Sequence, residues 1–371
     1  MGELRLSRAE ARRIAVRAQL LDDPRPTGLL DVVRRLGAVQ VDLTAAVAPS
    51  ADLVCWSRLG AGYALGELDD LFQERAVVEL KGFLRPAEDI ALFRAEMAQW
   101  PGVEPLRDWQ MDVAEWVSAN DECRLDILDQ LESEAPLPAR RLPDSCVVPW
   151  RSTGWTNNKN TQRMLDFMEA RGEVAVATRE GRERQWDLAR RVYPDATGEP
   201  EVPAEEAVVE RGRRRLAALG VARAKAVEAS AEPSDVGSVG EAAVIEGLRG
   251  QWRVDPAQLD RLSAPFHGRT VLLSPLDRLV FDRKRMTELF DYDYQLEMYK
   301  PVAKRRWGYW AMPILHDDRL VGKLDATADH AAGVLRVAAV HEDAPFSPAV
   351  REAVDHEVAA LAAWLGLTVA R

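Results

Sequence analysis

Thiols and imidazoles are scarce in this sequence. The cysteines are Cys55, Cys123 and Cys146, an odd number in which no two have Cys-x-x-Cys spacing. That pattern predicts neither a disulfide framework nor a zinc site, and leaves buried or incidental thiols in a reducing compartment. The histidines, His267, His316, His330, His341 and His356, show no His-x-x-x-His ligand spacing, and His316 is expected at the surface. Nothing here calls for a metal or another cofactor. Long apolar runs are missing too: none approaches the roughly 20 residues that span a bilayer. The opening Met1-Gly2-Glu3-Leu4-Arg5 lacks the apolar core of a secretion signal, and position 6 is Leu where a myristoylation signal has Ser or Thr. The expected setting is the cytoplasm, without a membrane partner.

Aromatic residues make up only 7% of the chain, but 47% hydrophobic and 29% charged residues are enough for a packed core. A length of 371 residues predicts two or three domains. The net charge of −11 argues against indiscriminate nucleic-acid binding by the whole surface. Its distribution points the other way locally. From Pro138 to Arg191 there are 11 basic and 7 acidic residues, a balance of +4; from Arg269 to Met312 there are 9 and 6, a balance of +3. The remainder then carries −18, so a basic groove on an acidic body is possible.

Four segments follow from patterning. In residues 1–103, Ser7 and Glu10 form a capping box for a helix to Leu21, which Pro24 and Pro26 follow. Thr27 opens a helix Gly28–Leu36 that Gly37 closes. Ala38–Asp42 and Leu53–Leu59 read as strands, and Leu65–Glu74 and Pro86–Trp100 as helices. In residues 104–195, helices at Asp108–Ser118, Arg124–Ser133 and Asn158–Arg171 precede a hairpin. That hairpin has strands at Glu173–Thr178 and Gln185–Leu188 and its tip at Arg179–Arg182. Three helices and a two-stranded wing are the order of a winged helix.

Residues 203–265 read as a second, degenerate unit of that kind. They contain a basic helix Ala204–Leu219, a turn at Val221–Arg223, a helix Val239–Leu248 and a strand Gln251–Val254. In residues 266–371, Val271–Leu273, Leu320–Leu324 and Val334–Val340 are strands of a small barrel-like sheet, with a tight turn at Asp317-Asp318. Ser347 and Pro348 then open a final amphipathic helix to Trp364. The expected class is α+β, with winged-helix motifs ahead of a β-rich part and a terminal helix.

Gln40-Val41-Asp42 carries the chemistry best. On a strand, residues two apart share a face, so Gln40 and Asp42 project together while Val41 turns to the core. A carboxylate beside a carboxamide suits hydrolysis at a sugar carbon. The anion stabilises an oxocarbenium-like centre and takes a proton from water that the amide orients. The plainer reading is a polar pair at a strand end. The Lys300–Trp310 block joins cations to aromatics. It reads equally as a phosphate-and-base contact or as a hairpin with its rings turned inward. Trp56 is expected in the core, and Arg58 either on a phosphate or in an internal ion pair.

Gln40-Val41-Asp42, followed by Leu53-Val-Cys-Trp-Ser-Arg-Leu59, resembles the Q-x-D/Q plus L-x-x-W-[SA]-R-L signature of YcaQ/AlkZ-type DNA glycosylases. Two further blocks agree in order: Ser274-Pro-Leu-Asp-Arg-Leu279, and Tyr299-Lys-Pro-Val-Ala-Lys-Arg-Arg-Trp-Gly-Tyr309 continued by Pro313 and Asp318-Arg-Leu-Val-Gly-Lys-Leu-Asp325. The Q-x-D form is closer to the YcaQ branch. The sequence departs from that branch at Ala48-Pro49-Ser50-Ala51-Asp52, where a basic-aromatic stretch is expected.

The resemblance implies tandem winged helices around a DNA channel. It also implies a monofunctional glycosylase that hydrolyses the N-glycosidic bond of bulky N7- or N3-alkylated purines, with interstrand crosslinks unhooked by some members. The catalytic residues would be Gln40 and Asp42. Arg58, Arg179, Arg182, Arg184, Lys300, Lys304, Arg305, Arg306, Trp307 and Tyr309 would contact DNA. The expected partner is double-stranded DNA with alkylated or crosslinked bases, bound by a monomer at the nucleoid. The alternative is a winged-helix transcriptional regulator without catalysis.

Overall fold

A computed structural model describes residues 4–154, 156–194, 201–226 and 232–371. The opening Met1–Glu3, read above for targeting signals, and position 195, taken above as a segment end, lie outside them. The chain divides into two compact units. Unit 1 comprises Met1–Leu68 and Gly212–Arg371, and unit 2 comprises Asp69–Arg211. No helix among the described residues is long and apolar enough to cross a membrane.

Unit 1 begins with a strand, Leu4–Leu6, that pairs in parallel with Glu241–Ile245, Leu4 opposite Ala243. Trp252–Val254 and then Val221–Arg223 extend this sheet antiparallel. The capping box is present: Glu10 N donates to Ser7 Oγ at 3.2 Å, and Ser7 N donates to Glu10 Oε2 at 2.7 Å. Helix Arg8–Ala18 buries Ala11, Ile14, Ala15 and Ala18 completely. Gly220 passes close beneath this helix with φ +70°. A Cβ there would lie 2.7 Å from Ala18 Cβ and 2.8 Å from Ile14 O, so only glycine fits.

The second sheet of unit 1 curls through Thr270–Leu272, Met312–His316, Arg319–Asp329, Val334–Glu342 and Thr368–Ala370. Its first four strands are antiparallel, with bulges at Ile314/Leu315 and Asp325/Ala326, and the last runs parallel to Val334–Glu342. Asp317, with φ +53°, turns the chain between His316 and Arg319. Helix Pro348–Trp364, capped by Ser347, brings Trp364 onto Trp56, with ring centroids 5.5 Å apart.

In unit 2 the sheet runs in the order Phe83–Pro86, Val77–Leu80, Val174–Glu180, Glu183–Leu188, Leu137–Pro138. Helices Asp108–Ala119, Asp121–Glu134 and Asn160–Ala170 precede the hairpin, whose tip is Gly181-Arg182. The span read as a helix Pro86–Trp100 is a 3-10 turn, Ala87–Leu92, followed by a short helix, Arg94–Ala98.

Several local expectations are corrected. Leu53–Leu59 lies in a helix, Ser50–Leu59, not a strand. Every residue from Leu53 to Leu59 is buried, so no polar face marks the helical period. Val239–Leu248 holds a strand, Glu241–Ile245, where a helix was expected, and Val221–Arg223 is a strand rather than a turn. Both owe their form to partners far away in sequence, and Gly240 and Gly247, each at positive φ, frame the first of them. The reading of residues 203–265 as a second helix-helix-wing unit loses its second helix. Only Val39–Gln40 of the expected strand Ala38–Asp42 is extended in a ladder. Gly28, not Thr27, is the N-cap of helix Leu29–Leu36, although Gly37 closes it in the left-handed conformation as expected. Lys300–Trp310 is an irregular segment with a 3-10 turn at Val302–Lys304; Pro301 and Gly308 suit a loop, not a hairpin.

Unit 2 buries charge as well as apolar groups. Glu79 is inaccessible between Arg179 and Arg184, at 2.5 and 2.6 Å. Glu169 is buried nearby in electrostatic reach of Arg184 and Glu79. Burial pushes its carboxyl up to about 8 against the pull of Arg184. A carboxyl whose folded pKa lies above its unfolded value favours the folded state fully below the unfolded value. That contribution is lost as pH rises through about 8. Glu169→Gln should therefore flatten the fall in urea midpoint between pH 5 and pH 9 and leave the variant more stable than the parent at the alkaline end. An unchanged slope would show that Glu169 does not titrate in this window.

Candidate active site

Gln40 ends the short strand Val39–Gln40 in unit 1, and the chain then leaves the ladder. Val41 and Asp42 are half-buried rather than alternating between core and surface. The residue turned to the core is Val39, 1% exposed. The loop after Gln40 is held by its own backbone. Thr44 N donates to Asp42 Oδ1 at 2.7 Å, and Ser50 N donates to Asp42 O at 3.4 Å. Ala328 N, on the long strand Arg319–Asp329, donates to Ala46 O at 2.8 Å. One carboxylate oxygen of Asp42 is thus fixed by an amide, which sets the direction of the other. Gln40 Oε1 is buried and has no hydrogen-bond partner among the described residues. A buried acceptor left in that state costs about 1–3 kcal/mol, and such an atom calls for a ligand or a water.

Two of the sequence blocks meet behind this loop. Ser50 Oγ and Ser274 Oγ lie 2.8 Å apart, both fully buried. Arg58 and Asp277, each inaccessible, form a direct ion pair, with Arg58 Nη2 3.0 Å from Asp277 Oδ1. Asp277 Oδ1 also accepts from Leu279 N at 2.9 Å and so caps the short helix Arg278–Phe281. The remaining guanidinium donors reach Gln19 O at 3.0 Å and Ser57 Oγ at 2.8 Å. Sequence reasoning quoted Ser274 and Asp277 without giving them a role. The signal available was a lone Asp followed by an apolar turn, which reads equally as an ordinary cap.

The expected DNA contacts separate into engaged and available groups. Arg58 is corrected: a side chain with no exposed surface and its donors satisfied inside the core cannot reach a phosphate. Trp307 is corrected as well. It is 7% exposed, stacked on Tyr294 at 6.1 Å and covered by Arg306 at 4.6 Å and Lys323 at 4.9 Å, so its faces are closed to a base. Trp310 is wholly buried. Lys300 Nζ bonds Gln295 Oε1 and Glu297 Oε1, at 2.6 and 2.9 Å. Buried Glu297 also accepts from the backbone N–H groups of Arg306 and Trp307, at 2.6 and 2.8 Å. The block is therefore folded around one carboxylate. Lys304 and Arg306 are exposed on it, Arg306 pairing with Asp293 at 2.7 Å. Arg305 lies 5.0 Å from the ring of Tyr309, which is 40% exposed.

In unit 2, Arg179 and Arg184 are committed to Glu79, while Arg182 stands exposed at the hairpin tip. Lys81 pairs with Glu96 at 2.7 Å. Against the effect of burial, Lys81 and Arg211 hold the Glu96 carboxyl down to about 2. His316 is more than a surface residue, since its Nδ1 lies 2.8 Å from Thr270 Oγ1.

Removing one partner of a buried ion pair strands the other charge, at a cost of about 3–5 kcal/mol. Arg58→Met and Asp277→Asn should each destabilise unit 1 by that amount in urea titration. The double change Arg58→Met/Asp277→Leu should recover part of the loss. Single variants that cost less than about 1 kcal/mol would show that the pair is not a fixed point of the site.

A family model described as DNA glycosylase AlkZ-like matches residues 33–364. Among solved structures, Streptomyces sahachiroi DNA glycosylase AlkZ is similar in fold, with a TM-score of 0.62 over 99% of this chain and 100% of that one, at 17% identity.

Proposed function

We propose, from the premise that the chain belongs to the AlkZ-like DNA glycosylase family, that Gln40 and Asp42 are the catalytic pair of this DNA glycosylase and that it acts on N7- or N3-alkylated purines. The observation that carries the reading is the buried, unpartnered Oε1 of Gln40 beside an Asp42 whose Oδ1 is already held by Thr44 N. In an alkylated purine of this kind the base is cationic. The C1′–N bond breaks with its electron pair going to the base, which leaves neutral without needing a general acid. The Asp42 carboxylate stabilises the positive charge left on the sugar. A water that donates one hydrogen to Gln40 Oε1 then attacks C1′ and passes a proton to Asp42.

Helices Asp108–Ala119, Asp121–Glu134 and Asn160–Ala170, followed by the hairpin, have the order of a winged helix. That order supports DNA binding by unit 2, with Arg182 at the tip of the wing. In unit 1, Lys304, Arg306 and Tyr309 are the exposed groups of the basic block. The stretch from Arg34 to Leu53 has no Phe, Tyr, Trp or His to sandwich an extruded base. This favours attack from an open channel, a geometry that admits bulky adducts and crosslinks.

Asp42→Asn and Gln40→Ala should each slow base release by at least about tenfold without loss of duplex affinity. Duplexes carrying N7-methylguanine or a bulky N7 monoadduct give the measurement, read as heat-labile abasic sites, and the bulky lesion should be released at least as fast. Wild-type rates from Asp42→Asn, freed of contaminating glycosylase, sink the assignment. Excision confined to the methylated base sinks the open channel.

Affinity for a lesion-bearing duplex should fall with rising salt. Arg182→Glu and Lys304→Glu should each weaken binding and reduce the salt slope by about one. A slope unmoved by both changes means that these cations face only solvent.

A further inference from the structure

Cys123 and Cys146 are separated by 22 residues in the sequence, yet the fold of unit 2 places them side by side. Their sulfurs and a carboxylate oxygen of Asp144 all lie within 4.8 Å of one another. Around a tetrahedral zinc-type ion, with metal–sulfur bonds of about 2.3 Å and metal–oxygen bonds of about 2.1 Å, ligand atoms sit about 3.5–3.8 Å apart. Side-chain rotation of about 1 Å would close the cluster to that size. Two thiolates and one carboxylate are the donor set that a borderline-soft divalent ion selects over magnesium or calcium.

We propose that Cys123, Asp144 and Cys146 bind one zinc-type divalent ion, with water completing the tetrahedron. The surroundings are built to hold such a site. Cys123 is fully buried and lies in the first turn of helix Asp121–Glu134, where free backbone N–H groups favour an anionic sulfur. Asn160 Nδ2 donates to both oxygens of Asp144, at 3.1 and 3.3 Å, orienting the carboxylate as outer partners of metal ligands do. Asn160 Oδ1 accepts from Trp150 N at 2.7 Å. Burial and the neighbouring Cys123 push the Cys146 thiol up. Metal entry must then release thiol protons and strengthen with rising pH.

An ion here would join two parts of unit 2, the start of helix Asp121–Glu134 and the loop around Asp144 to Trp150, and through the hydrogen bonds of Asn160 to Asp144 would reach the start of helix Asn160–Ala170. Side chains already tether that loop. Trp116 Nε1 donates to Val148 O at 2.9 Å, and Val148 N donates to Asn120 Oδ1 at 2.9 Å. The ion would therefore set the N-terminal end of the helix that precedes the hairpin.

Cobalt(II) tests the proposal, because thiolate ligation gives a near-ultraviolet charge-transfer band and tetrahedral geometry gives strong visible bands. Reduced full-length chain, stripped with a chelator, should take up one equivalent of cobalt with both features. Zinc should displace the cobalt and raise the melting temperature. Cys146→Ser should abolish the charge-transfer band or weaken cobalt binding at least about tenfold. Asp144→Asn, at an exposed position, should weaken binding by about 10-fold. The proposal fails if the reduced protein gives no thiolate band, or if the band survives intact in Cys146→Ser. It fails equally if thiol titration of the unreduced, denatured chain finds one free cysteine in place of three, since the pair is then a disulfide.

Discussion

The guanidinium of Arg58 and the carboxylate of Asp277 leave water together, and much of unit 1 is arranged around that fact. Each charge alone in the core would cost several kcal/mol, so helix Ser50–Leu59 can pack only where Asp277 awaits it. Asp277 must in turn begin the helix Arg278–Phe281, whose Leu279 N it caps. Gln19 and Ser57 consume the remaining donors. The start of helix Ser50–Leu59 is fixed a second time by the contact of Ser50 with Ser274. The loop that carries Asp42 hangs between this anchored helix and the strand Val39–Gln40, with a third tether at Ala328. Asp42 thus sits on a loop held by hydrogen bonds from Thr44, Ser50 and Ala328.

The sequence displayed some of this directly. Ser7 with Glu10, Gly37, and Ser347 before Pro348 announce helix ends through local chemistry, and the structure has those ends. Helices with one wet face, such as Asp108–Ala119 and Asn160–Ala170, were legible from their period. What could not be read were elements whose form depends on distant partners. Glu241–Ile245 contains Ala243 and Val244, which suit either state, and becomes a strand because Leu4–Leu6 and Trp252–Val254 lie on its two sides. Leu53–Leu59 is buried on every face and shows no period at all.

The candidate site was legible in type more than in geometry. Gln40 and Asp42 stood out as residue types, but a strand does not carry them both; a turn closed by Thr44 places the acid. The basic stretches show a limit of counting charge. Arg179 and Arg184 serve Glu79, Arg190 and Arg191 serve Glu132, and Arg285 is spent on the carbonyls of Leu219 and Val221. A local surplus in sequence becomes a positive surface only after such internal pairing is subtracted, and what remains is a few residues such as Arg182 and Lys304.

The parallel pairing of Leu4–Leu6 with Glu241–Ile245 has a consequence for the order in which the protein is made. Unit 2 lies in sequence between the two parts of unit 1. The first strand therefore leaves the ribosome roughly 240 residues before its partner, a delay of about 10–50 s at ordinary rates of synthesis. During that interval unit 2 can complete its own core, while helix Arg8–Ala18 holds an apolar face that only later residues, among them Val221 and Trp252, will cover. The nascent chain must wait with its N-terminal end unfinished, and its exposure to chaperones and proteases is set by translation speed as much as by the stability of the finished fold.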